Sequence, residues 1–146
     1  MIIRASITTD IIRLHEIRVA VKENALSNPA LITPADYSEF LFTRGKGWVA
    51  EIDNIIVGFA ICDLREENIW ALFVHPDFER RGVARALQKE MLSWYFTQKE
   101  KVWLGTAPGT RAEKFYRSSG WKENGMHGKE VKFEMTSEEW HNLNRL

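Results

Sequence analysis

Six consecutive apolar residues, Ile69-Trp70-Ala71-Leu72-Phe73-Val74, do most to limit what this chain can become. The run lies between the polar turn Glu66-Glu67-Asn68 and Pro76, and it is far too short for a membrane span. Without alternation, it predicts a central strand buried on both faces of a sheet. A polar loop follows, and then Gly82 to Phe96, where Val83, Leu87, Met91, Leu92 and Tyr95 recur at helical spacing. A buried strand feeding a glycine-opened amphipathic helix must stack helix on sheet, so the expected fold is α/β with one mixed sheet.

The remaining segments supply partners for that unit. Ile2 to Ile7 reads as a short strand, and Thr8-Thr9-Asp10 offers N-cap chemistry for a helix running to about Leu26. Thr33-Pro34-Ala35-Asp36 starts a second helix that should reach about Thr43, with Arg44-Gly45-Lys46-Gly47 closing it. Trp48 to Ile52 and Ile55 to Leu64 read as a hairpin across Asp53-Asn54. Val102 to Ala107 is a strand, Thr110 to Ser118 a helix and Val131 to Met135 a last strand. Thr136 with Glu139 then caps a terminal helix. Between these, Gly120 to Gly128 reads as a glycine-flanked loop, either a connector or a flap over a ligand.

Composition narrows the function. A chain of 146 residues without repeats or low-complexity linkers reads as one domain, 1–146. Twenty Lys and Arg balance twenty Asp and Glu, which argues against nucleic acid as a partner. With no charged leader before a long apolar run and no spanning segment, a cytoplasmic location away from membranes is expected. Cys62, the single cysteine, sits in an apolar strand and reads as a small buried hydrophobe. His15, His127 and His141 are too scattered for a metal site, and Ser118 and Ser119 lack a nucleophile elbow. Trp48, Trp70, Trp94 and Trp103 are expected in the core.

Chemistry concentrates in Val74 to Leu87. The first amides of a helix have no intrahelical partner and carry partial positive charge, which favours an anion. Gly82 lets a phosphate approach them, as does Ala84, and Arg80, Arg81 and Arg85 form the densest cationic cluster of a net-neutral chain. A solvated basic helix start would look the same in isolation.

The surrounding pattern resembles the GNAT superfamily of acetyl-CoA-dependent N-acetyltransferases. That family's phosphate loop reads Gln/Arg-x-x-Gly-x-Gly/Ala, and Glu79-Arg80-Arg81-Gly82-Val83-Ala84 is similar at Gly82 and Ala84 but has Glu79 in first place. Arg111 to Trp121, with Phe115-Tyr116 and Gly120-Trp121, resembles the family's Asn-x-x-Ala-x-x-Phe-Tyr-x-x-x-Gly-Phe segment. Here Gly109 stands where the family usually has Asn. The two motifs come in the family's order, and the element order fits over nearly the whole chain.

The resemblance implies a largely antiparallel sheet flanked by helices and acetyl-CoA as co-substrate, with no metal. Leu72, Phe73 and Val74 would pair with the pantetheine arm, and the amides of Arg80, Arg81, Gly82, Val83, Ala84 and Arg85 would hold the pyrophosphate. Tyr116 would protonate the departing thiolate. The first two helices would build the acceptor side, with Arg18, Glu23, Asn24 and Tyr37 as its polar candidates. Arg18 falls among apolar helix positions, which points it either inward, toward a substrate carboxylate, or along the helix edge to water. The proton acceptor stays open among Glu66, Glu67, His75 and water. The expected acceptor is a small-molecule or peptide amine, and the expected assembly a monomer or homodimer. Two function classes follow: direct acetyl transfer, or a sensor that binds acyl-CoA without turnover.

Overall fold

A computed structural model describes residues 1–22 and 31–145. Its seven-stranded sheet runs in the order β1-β2-β3-β4-β5-β7-β6, with β1 Ile2–Ala5, β2 Gly45–Ile52, β3 Ile55–Asp63, β4 Asn68–Val74, β5 Lys101–Thr106, β6 Lys122–His127 and β7 Glu130–Thr136. Every pairing is antiparallel except β4 with β5. The helices are α1 Ile11–Ala20, α2 Pro34–Ser38, α3 Val83–Tyr95, α4 Arg111–Ser118 and α5 Ser137–Leu143. This is the mixed, largely antiparallel sheet that the sequence suggests. No described helix is long and apolar enough to cross a membrane.

Strand alternation sorts the core into two layers. Trp48, Ala50, Val57, Ala60 and Cys62 face α3, whose Val83, Leu87, Met91, Leu92 and Tyr95 are buried against them. Val49, Phe59, Ile61 and Ala71 face the other way, onto Ile11, Leu14 and Ile17 of α1 and onto Tyr37 and Leu41. Asp53 and Asn54 both take positive φ, as a tight hairpin turn requires.

Several expectations are corrected. The first helix ends at Ala20, because Val21 is already extended. The second continues from α2 through a wider π-helical turn, Glu39–Arg44, and the strand then begins at Gly45. Gly45 and Gly47 are not helix stops. A Cβ on Gly45 would sit 1.7 Å from the Cys62 carbonyl oxygen, and one on Gly47 2.2 Å from Leu41 Cδ2, so the glycines allow close approach inside the strand. Gly120 to Gly128 is not a loop: it contains β6, which zips onto β7. Its six residues are all exposed, so no apolar alternation marks it. Finally, β4 is not buried on both faces: Ile69 and Ala71 are, whereas Trp70, Leu72, Phe73 and Val74 are only half-buried.

Candidate active site

The half-burial of β4 follows from a split in the sheet. β4 and β5 share one registered pair, Asn68 with Trp103, where the Trp103 N–H donates to the Glu67 carbonyl at 3.0 Å. The Trp103 indole N–H donates to the Glu66 carbonyl, also at 3.0 Å, which fixes the hinge of the split. Past that point the strands diverge, and the β4 edge toward β5 has no strand partner.

Two cavities meet at the split. The larger, about 900 Å³, runs along Leu72, Phe73 and Val74, over the start of α3, to the N-terminal half of α4. The smaller, about 430 Å³, lies between Asn68–Phe73 of β4 and Trp103–Thr106 of β5. Leu72, Phe73, Ala112 and Tyr116 line both.

At the start of α3, Gly82 takes φ +77° and forms the N-cap without any side-chain cap. A Cβ built there meets nothing within 4 Å, so the amides open onto free volume. Arg80, Gly82, Val83, Ala84 and Arg85 line the larger cavity. Arg81 does not; its guanidinium lies over the Phe78 ring, 5.2 Å from the centroid. Glu79, the departure from the loop pattern, is ion-paired with Arg111 at the start of α4, and both line this cavity. The pair ties the loop to α4 and offsets the negative charge of Glu79.

Tyr116 is buried on α4 among Phe115, Trp121 and Phe133, with ring centroids 5.4, 5.7 and 6.1 Å away. Burial pushes its phenol well above the ordinary tyrosine value, so it is neutral and a donor. Trp121 is itself held by Gln88 of α3, whose Oε1 accepts the indole N–H at 2.9 Å. Cys62 lies within the sheet, where burial pushes its thiol up to about 12.

On the other side, Arg18 of α1 lines the smaller cavity, with its guanidinium over Trp70 and Phe73 at 4.8 and 5.0 Å. Its Nε and Nη1 are shielded from solvent and have no hydrogen-bond partner, and the same holds for Asn68 Oδ1. Tyr37 lines neither cavity; it is buried edge-on to Trp70, with its hydroxyl 3.0 Å from His15 Nδ1. Burial raises the Tyr37 phenol, and Arg18 opposes that rise through its charge and through a side-chain hydrogen bond to the hydroxyl, which leaves Nε and Nη1 as its unpartnered donors. Glu23 and Asn24 lie outside the described residues.

Glu66, Glu67 and His75 line neither cavity. His75 closes a turn, its Nδ1 accepting the Asp77 N–H at 3.1 Å. The titratable groups that do line the smaller cavity beside Arg18 are His127 and Glu130, neither of them among the proton acceptors expected from the sequence. They pair across the Gly128-Lys129 turn of the β6–β7 hairpin, and only that hairpin places them over β5. Among the described residues no three His, Cys, Asp or Glu side chains gather as a metal set.

Comparison with known proteins bears on this geometry. The model of the acetyltransferase (GNAT) family matches residues 11–121. An uncharacterized N-acetyltransferase of Archaeoglobus fulgidus is 32% identical over 111 residues, covering 65% of this chain and 75% of that one. The crystal structure of the Escherichia coli ribosomal-protein-S18-alanine N-acetyltransferase superposes with a TM-score of 0.72 at 18% identity, covering 92% of this chain and 90% of that one. The PaiA N-acetyltransferase of Thermoplasma acidophilum, in complex with coenzyme A, gives 0.77 at 13% identity over 93% and 99%. At such identities these two structures speak for the fold.

Proposed function

Because the chain belongs to the acetyltransferase (GNAT) family and is an acyltransferase, we propose that it moves acetyl from acetyl-CoA directly to a primary amine. The observation that carries this reading is the meeting of the two cavities at Tyr116, one of about 900 Å³ that reaches the start of α3 and one of about 430 Å³ sized for a small acceptor. Acetyl-CoA supplies an activated thioester, whose C–S bond breaks as the acceptor nitrogen forms the new C–N bond.

The chain's own groups hold and protonate. The unpaired edge of β4 at Leu72–Val74 accepts an extended arm as an added strand would. The α3 amides behind Gly82, with Arg80 and Arg85, take the phosphates; Arg81 braces the loop through Phe78. Tyr116 delivers a proton to the departing thiolate. His127 or Glu130, directly or through water, receives the proton the amine loses. Direct transfer suits a chain whose single cysteine, Cys62, is buried in the sheet and lines neither cavity.

Thermal unfolding with acetyl-CoA tests the phosphate loop. A ligand at about 100 times its Kd adds about 2.7 kcal/mol, several degrees in Tm for a chain this size. Gly82→Glu puts bulk and negative charge into the open space and should abolish that shift. Gly82→Ala reports the separate cost of a side chain at positive φ. Equal shifts in parent and Gly82→Glu overturn the loop assignment. Release of CoA thiol with amines separates turnover from binding alone.

A further inference from the structure

We infer that the smaller cavity takes an amine that also carries a carboxylate, an amino acid by chemical class, and that Arg18 binds that carboxylate. The inference rests on the acetyl-transfer reading and names its acceptor.

An arginine that merely skirts a helix edge puts its head group in water. Arg18 does not: Nε and Nη1 are both shielded and unpartnered. The rings of Trp70 and Phe73 stabilise the cation through their faces, but a π face offers no acceptor in the guanidinium plane. Among the described residues no carboxylate is ion-paired with it, whereas Arg4, Arg44 and Arg117 all have such partners. A partly desolvated cation with idle in-plane donors beside a cavity is most strongly stabilised by a planar anion. Such an anion takes either Nε or Nη1 together with Nη2, because the Nε and Nη1 hydrogens point to opposite sides of the plane.

The other lining groups select which anion. Arg18 is the one Arg or Lys among the residues lining the smaller cavity, too little charge for a phosphate group. Facing the same space are the Glu130 carboxylate and the unpartnered Asn68 Oδ1, both acceptors. One fixed cation with acceptors nearby complements a ligand bearing a carboxylate and an N–H group. It opposes a polyamine, which would bring further positive charge beside Arg18. The volume of about 430 Å³ suits a molecule of amino-acid size.

The test measures CoA thiol release with the standard α-amino acids, their carboxamides and putrescine as acceptors. At least one amino acid should exceed its amide in kcat/KM by about tenfold or more. Arg18→Gln should lower that value by about 10²-fold, the scale of a lost charge-assisted hydrogen bond, and should bring the ratio of amino acid to amide close to one. Arg18→Lys, which keeps the charge, should recover part of the preference, and circular dichroism with the acetyl-CoA thermal shift verifies that both variants fold and bind. Putrescine or the amides as the better acceptors, no amino acid turned over, or a carboxylate preference unchanged in Arg18→Gln would each overturn the inference. If putrescine or an amide is acetylated, the acetyl-transfer reading survives. If acetyl-CoA itself causes no thermal shift, that reading fails first.

Discussion

Burial among Phe115, Trp121 and Phe133 keeps the Tyr116 hydroxyl protonated, and the same burial makes it a weaker acid toward a thiolate. We therefore expect Tyr116→Phe to lower kcat by about 10²-fold, the low end for a general acid, with KM for acetyl-CoA nearly unchanged. The ring and its packing remain, so Tm should move little. A stable variant with parental turnover at saturating substrates would leave Tyr116 as packing and water as the donor. Tyr116 was legible because the Phe115-Tyr116 pair sits in a recognisable helix segment. Arg18 was legible only as a spacing oddity among apolar positions. That its donors are idle depends on Trp70 and Phe73, more than fifty residues away, and no local pattern carries that. Glu79 marks the same boundary: the sequence shows a misplaced acid, and only the fold supplies Arg111 to pair with it.

One forked contact ties the start of α1 to the sheet edge, beside the apolar packing of Ile11, Leu14 and Ile17. Arg4 of β1 donates from Nη1 and Nη2 to the two oxygens of Asp10 at 2.9 and 3.0 Å, and Asp10 Oδ2 also accepts the Ile7 N–H at 2.8 Å. Burial alone would raise the Asp10 carboxyl, but the Arg4 fork and the backbone donor outweigh it and hold it below the ordinary range. A depressed carboxyl stabilises the fold above its unfolded pKa of about 3.9, and that contribution is lost as pH falls through the lower folded value. Asp10→Asn should cost about 2 kcal/mol in urea unfolding at neutral pH, and less near pH 3, where the unfolded carboxyl is already largely protonated and the advantage of the folded carboxylate shrinks. An undiminished gap at pH 3 would assign the cost to shape instead of charge. At this scale the sequence served best where pattern and burial coincide, as in α3 and the β2–β3 hairpin. It failed on β6, a strand with no buried residue, and on Gly45 and Gly47, where close packing against Cys62 and Leu41 reads locally as a break. The run at β4 was recognised as a strand, but its open face reflects the departure of β5, a non-local event.

Across the whole molecule the charges cancel, so attraction for an anionic coenzyme has to come from where the cations stand. Arg80 and Arg85 line the larger cavity beside the α3 amides, whereas Arg4 and Arg44 are committed to buried aspartates at Asp10 and Asp63. Arg4 and Arg44 thus staple elements together, whereas Arg80 and Arg85 face the groove. Screening separates the two groups, because the Debye length contracts from about 30 Å at 0.01 M salt to about 3 Å at 1 M. Buried forks feel this little; groove charges acting on phosphates feel it strongly. Acetyl-CoA affinity, measured by calorimetry across that range, should therefore fall several-fold for the parent. An Arg80→Gln, Arg85→Gln double variant should bind more weakly at low salt and show a shallower slope, converging on the parent at high salt. What remains at high salt is the contribution of the amides behind Gly82 and of the β4 edge, which carry no net charge to screen. Identical slopes in parent and variant would make these two arginines a solvated face and leave the phosphates to the amides and to Lys22 and Lys114, which line the same cavity.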